Sequence, residues 1–224
     1  MKNSLTKTLF SDVFIAVGVA IQVVVYMLTD STLLSLLSGT LGIFAVVYCS
    51  ERKMKQFFFA FAQMFTYIYI AYSEKLYGEV AINIFYFILT CVAVYTWGRN
   101  SNESGEVESR SLSVNGNIIL AFSVGLVFLV VWKWLCLTDD TQPMMDSLTT
   151  VPAIAAQTLY MLRYREQWIY WLIIDIASIV MWSIAENYCV VAQYVFWTLN
   201  CVYGYYLWTV KKGLNDDYKR GKEG

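Results

Sequence analysis

The chain has 224 residues, of which 58% are hydrophobic and 15% charged, with a mean hydropathy of +0.51 and a net charge of −1. Soluble domains carry about 25% charged and about 45–50% apolar residues, so this composition excludes an ordinary water-soluble domain. Short, scattered basic clusters exclude a nucleic-acid partner, and the absence of histidine weighs against a membrane metalloprotease or a His-dependent proton pump.

A span of the hydrocarbon core needs about 20 mostly apolar residues. Eight segments qualify: 8–28, 31–49, 57–73, 77–97, 117–137, 144–162, 167–185 and 188–210. In residues 1–30, Lys2 and Lys7 precede an apolar run that is too long for a signal peptide and lacks a small-residue cleavage pattern, so an extra N-terminal span is expected. Residues 31–97 then hold three spans with short polar connections. The segment 98–116, GRNSNESGEVESRSLSVNG, has no periodicity and is expected to be a flexible cytoplasmic tie. Residues 117–137 form a connecting span, 144–210 hold three more, and the polar tail 211–224 is expected to be disordered.

The basic residues set the orientation. On one side fall Lys2, Lys7, Arg52, Lys53, Lys55, Arg99, Arg110, Arg163, Arg165, Lys211, Lys212, Lys219, Arg220 and Lys222; on the other only Lys75 and Lys133. The positive-inside rule places both termini in the cytoplasm, and a seven-span reading would break the alternation.

The two halves repeat. A shift of 112 places Tyr48 on Tyr160, Phe59 on Trp171 and Gln63 on Asp175, whereas a shift of 111 places Tyr77 on Tyr188, Phe85 on Phe196 and Trp97 on Trp208. A one-residue slip between the second and third helix of each half would reconcile the two. The repeated triplets are four spans apart, an even number, so both are expected to cross in the same direction. Transporters built on parallel repeats place their substrate near mid-bilayer between the units.

Polar side chains at mid-membrane depth are the candidates for chemistry. Gln63, Tyr67, Asn83 and Tyr86 lie in the first triplet; Gln157, Asn200 and Tyr203 lie in the second. Such amides either bond neighbouring helices or contact a ligand, and the residues alone leave both roles open. Trp171, Trp182 and Trp197 are the better buried aromatic candidates, and stacking surfaces beside amides suit a flat, ring-bearing, hydroxylated molecule. Asp175 is the acidic residue deepest in a span. It could bond a neighbouring Gln or Tyr, balance a cationic substrate or carry a proton. The five cysteines include no CxxC and read as small buried hydrophobes. No metal site, cofactor motif or nucleophile–base pair is apparent, which argues against an enzyme.

The pattern Trp168-x-x-Trp171-x-x-x-Asp175, followed by Asn200-x-x-Tyr203-Gly204-Tyr205 and Trp208, resembles the Pnu family of vitamin transporters, and within it the nicotinamide riboside branch. The resemblance spans about residues 31–210. It implies an all-α integral membrane fold of eight transmembrane helices: two parallel three-helix bundles joined by a linker helix, as in SWEET sugar transporters, plus the extra N-terminal helix. It further implies inner-membrane facilitated diffusion of nicotinamide riboside, or of thiamine or another vitamin or nucleoside, with a cytoplasmic kinase trapping the product. On this reading Gln63, Tyr67, Asn83, Tyr86, Gln157, Trp171, Trp182, Trp197, Asn200 and Tyr203 contact substrate. Asp175 and Trp168 are structural or charge-balancing, Pro143, Pro152 and Gly204 are flex points, and self-association is left open. The first triplet carries Gln56, Phe59 and Gln63 where the second has Trp168, Trp171 and Asp175, so an asymmetric cavity is expected.

Overall fold

The computed structural model describes residues 2–29, 32–73, 75, 77–103, 105–138, 143–184, 186 and 188–223; the side chains of residues 2–10, 77–79, 188–189 and 211–223 lie outside the description. Those side chains include Cys189 and the basic residues of both termini used above.

The described residues form eight helices: α1 (Lys2–Leu28), α2 (Leu33–Ser50), α3 (Gln56–Ser73), α4 (Tyr77–Gly98), α5 (Val114–Leu135), α6 (Pro143–Met161), α7 (Gln167–Ile184) and α8 (Tyr188–Glu223). Each expected span falls on one of them. Caps fix several starts. Thr32 Oγ1 accepts from Ser35 N at 3.1 Å ahead of α2, and Ser113 Oγ accepts from Gly116 N at 3.1 Å ahead of α5. Ser113 therefore starts α5 three residues before the expected span at 117. α6 opens on Pro143, whose missing N–H is one the first turn cannot use anyway. It continues unbroken through buried Pro152. α8 does not stop near 210 but runs to Glu223, so helix replaces the disordered tail expected there.

Five described helices are long and apolar enough to cross a membrane: α1, α2, α4, α5 and α7. Their outward faces are apolar too. α5 buries none of its residues, and Ile118, Ile119, Phe122 and Val130 on it are each more than 60% exposed. Leaving side chains of that size in water forfeits about 1.5–3 kcal/mol apiece, a cost that lipid contact removes. Several helix hydroxyls bond back to their own helices: Thr40 donates to the Leu36 carbonyl, Thr66 to Ala62 and Thr158 to Ile154.

The chain divides into two units, Met1–Val107 and Glu108–Gly224. In the first, α1 packs on α2, α2 on α3 and α3 on α4; in the second, α5 packs on α6, α6 on α7 and α7 on α8. Each triplet thus carries the helix that precedes it, including α1, which the sequence repeat leaves out.

The corners define the repeat. α2 and α6 both end in a Schellman motif whose left-handed residue is an arginine, Arg52 (φ 62°) and Arg163 (φ 65°). Arg52 N donates to Cys49 O and Lys53 N to Tyr48 O, as Arg163 N does to Tyr160 O and Tyr164 N to Leu159 O, all at 2.9–3.0 Å. The next corners turn on Lys75 (φ 61°) and Glu186 (φ 57°). Every one of these pairs is 111 residues apart, at the corners on both sides of α3 and of α7, so the expected slip is absent. The apparent shift of 112 arises because aromatic residues recur often enough in such helices to match one position out of register.

The linker is ordered rather than a loose tie. Met54 N donates to Gly105 O at 3.0 Å and Val107 N to Arg52 O at 2.9 Å, which lays residues 105–107 along the first unit's α2–α3 corner. Arg110 N donates to Arg163 O at 2.7 Å and Arg165 N to Arg110 O at 2.9 Å at the related corner of the second unit. Ser109 Oγ donates to the Trp208 carbonyl at 3.0 Å. Val107 and Ser109 are buried. A polar composition suggested flexibility, but the segment finds its backbone partners in two pre-formed corners.

Candidate functional site

The Trp168–Trp171–Asp175 motif lies on α7, whose mixed buried face comprises Gln167, Trp168, Tyr170, Ile174, Asp175, Ala177 and Ser178. Residues 168, 175 and 182 are seven apart and so nearly eclipse one another along the helix. Trp168 and Asp175 meet α8. The Trp168 ring packs edge-on against Trp208, with centroids 6.0 Å apart and planes at 79°, and the backbone of Gly204 lies against its face. One full heptad on, Cys201 Sγ donates to Asp175 Oδ2 at 3.2 Å in a buried setting. A carboxyl at this depth needs a donor. The sequence suggested Gln or Tyr; the donor is a thiol.

Trp171 points elsewhere. It packs against the cluster of Ala156, Leu159 and Tyr170, together with Leu112, Leu120, Val124, Ala155 and Tyr164. Two members of the motif therefore knit α7 to α8 and the third knits it to α5 and α6. The helix is held from two sides.

The other candidates are distributed over both units. In the first, Gln63 and Tyr67 are half-buried on α3, Asn83 is buried on α4, and half-buried Tyr86 has its ring 6.2 Å from Phe85. In the second, Gln157 on α6 and Asn200 on α8 are buried, Asn200 at 2% exposure, while Tyr203 is half-buried. Trp197 is half-buried and packs edge-on against Phe196, centroids 5.5 Å apart. Trp182 is half-buried, and its Nε1 is shielded with no hydrogen-bond partner among the described residues. The indole N–H of Trp168 is likewise unpartnered. Sequence reasoning missed Cys201 as a donor, since free cysteine normally behaves as a small hydrophobe. Its place opposite Asp175 needs the α7–α8 pairing, which sequence spacing does not supply. Gly204, expected as a flex point, lies in tight packing contact with Trp168.

Among the described residues no cluster of His, Cys, Asp or Glu could hold a metal ion. The candidates are aromatic rings, amides and the buried carboxyl of Asp175. They offer no nucleophile–base pair.

These features define a class: a multi-pass, all-helical membrane protein with a repeated helical unit and a polar-aromatic interior. The family model described as nicotinamide mononucleotide transporter matches residues 32–210, and the chain belongs to that family. It is 32% identical over 206 residues to the nicotinamide riboside transporter PnuC of Haemophilus influenzae, covering 89% of each chain. It is 29% identical over 214 residues to the protein of the same name from Neisseria mucosa, covering 90% of this chain and 81% of that one. It also matches a crystal structure of the vitamin B3 transporter PnuC at a TM-score of 0.75 and 28% identity, covering 91% of this chain and 92% of that one. These relatives are named transporters and not enzymes.

Proposed function

We propose that the chain carries nicotinamide riboside across a bacterial inner membrane by facilitated diffusion, with alternating access and a cytoplasmic kinase trapping the product. The observation that carries this reading is the 32% identity, over 89% of both chains, to a protein named as a nicotinamide riboside transporter. In this proposal all eight helices span the bilayer in a SWEET-like arrangement, with both termini in the cytoplasm. The basic residues clustered on alternate connections support that orientation.

The substrate contacts belong to the same proposal. Gln63, Tyr67, Asn83, Tyr86, Gln157, Asn200 and Tyr203 supply hydrogen bonds to the carboxamide and ribose, and Trp171, Trp182 and Trp197 supply aromatic surface. The unpartnered Nε1 of Trp182 supports its part, since a shielded donor without an acceptor costs about 1–3 kcal/mol until one arrives. Trp171 takes part from its core-packed position, through whichever edge of the ring the cluster leaves open. Asp175 and Trp168 hold α7 to α8, consistent with their contacts to Cys201, Gly204 and Trp208.

Calorimetric titration of the purified protein with nicotinamide riboside, thiamine and riboflavin tests the assignment. Heat from the first alone is expected. No heat with nicotinamide riboside and micromolar binding of thiamine would reassign the substrate.

A further inference from the structure

We propose that the corner joining α6 to α7 binds the phosphate of an anionic phospholipid headgroup between the guanidinium groups of Arg110 and Arg163. The repeat supplies an internal reference. At the first unit's corner both basic residues of the turn itself are matched, Arg52 lying 3.6 Å from Glu106 and Lys53 2.6 Å from Glu51, while Lys55 sits alone over the Tyr48 ring. At the second unit's corner, Glu166 is taken by Arg165 at 3.2 Å. Among the described residues, neither Arg110 nor Arg163 has a carboxylate within ion-pair distance.

Yet the backbone brings these two arginines together. Arg110 N donates to Arg163 O at 2.7 Å, and Arg110 O accepts from Arg165 N at 2.9 Å. The Arg110 guanidinium sits 4.5 Å over the Tyr164 ring and is exposed. Arg163 Nη1 donates to the Glu108 carbonyl at 3.0 Å, while its Nε has no partner. Partial burial first, and the neighbouring Arg110 second, hold the Arg163 guanidinium below the usual arginine range; Glu108 and Tyr164 oppose them more weakly. Two like charges held side by side are accounted for if an anion sits between them. The planar, multi-donor guanidinium suits the oxygens of a phosphate.

The corner's position selects a lipid as the source. It lies between Met161, the end of α6, and Gln167, the start of the apolar α7. Headgroup phosphates lie at that level of a bilayer, and basic residues there attract anionic lipid. A soluble phosphate shares the chemistry but not the location.

Native mass spectrometry of the full-length protein, exchanged with mixed phosphatidylglycerol and phosphatidylcholine, tests the site. The wild type is expected to retain phosphatidylglycerol preferentially. Arg110→Gln is expected to weaken retention about fivefold, and Arg163→Gln by a similar factor. Lys53→Gln at the matched corner should leave retention unchanged. Equal retention by wild type and Arg110→Gln would overturn the proposal, as would displacement of the lipid by inorganic phosphate. If Arg163→Gln fails to fold, Arg110→Gln, at an exposed position, carries the comparison, with Arg163→Lys expected to keep the lipid.

Discussion

Gly204 and Trp168 are in contact so close that a Cβ on residue 204 would lie 2.6 Å from Cε2 of the indole. The related pair in the first unit, 111 residues earlier, is Phe57 and buried Ala93, and Phe57 packs edge-on against Trp97 with planes at 79°, the same angle as Trp168 on Trp208. One corner takes a smaller ring and a methyl group; the other takes a larger ring and none. The volume is conserved as a pair. Gly204→Ala is therefore expected to destabilise the protein by about 1–3 kcal/mol through overpacking. Adding Trp168→Phe should recover much of that loss, because it rebuilds the first unit's pair. Thermal unfolding of the two single variants and the double variant in detergent checks this, and simple additivity would contradict it.

The buried Asp175 depends on the Cys201 thiol. Cys201→Ala leaves a buried carboxyl without that donor and is expected to cost about 1–3 kcal/mol. Cys201→Ser keeps a donor and should cost less. Asp175→Asn retains the size and tests whether the carboxyl matters beyond packing. Unfolding midpoints compared with binding heats separate the two roles: a structural Asp175 predicts lost stability with unchanged affinity among the molecules that remain folded.

Lys75 and Glu186 adopt left-handed backbone at exposed corners without glycine. A side chain in that conformation costs about 1–2 kcal/mol. Part of this returns as the greater chain entropy that glycine loses on folding. Lys75→Gly and Glu186→Gly are each expected to raise stability by about 0.5–1 kcal/mol, which unfolding midpoints would register.

The linker offers a test by hydrogen exchange. The amides of Val107 and Arg110 donate to Arg52 O and Arg163 O, so both should exchange slowly. Uniform fast exchange from 98 to 113 would restore the flexible tie read from composition.

Sequence reading located the helices because a membrane span leaves a long, continuous apolar signal. It placed the start of α7 correctly and found the α4–α8 register, where Tyr, Phe and Trp landmarks are spaced unevenly enough to be unique. It misplaced the α3–α7 register by one residue. There the decisive markers are backbone ones, left-handed arginines closing Schellman motifs, and an arginine at such a position carries no compositional mark. Glycine would have given it away. The order of the linker was hidden for a related reason: its bonds run to corner carbonyls, and backbone acceptors do not show in side-chain composition. Of the motif on α7, sequence spacing gave the shared face, but only packing separates Trp171, turned to α5 and α6, from Trp168 and Asp175, turned to α8.

Uptake of radiolabelled nicotinamide riboside into proteoliposomes containing the full-length protein tests the proposed function most directly. Saturable uptake that equilibrates without a proton or sodium gradient, and that unlabelled nicotinamide riboside but not thiamine inhibits, is the expected result. Liposomes that stay empty of nicotinamide riboside while the same preparation admits thiamine, or that fill only when an ion gradient is imposed, would contradict it.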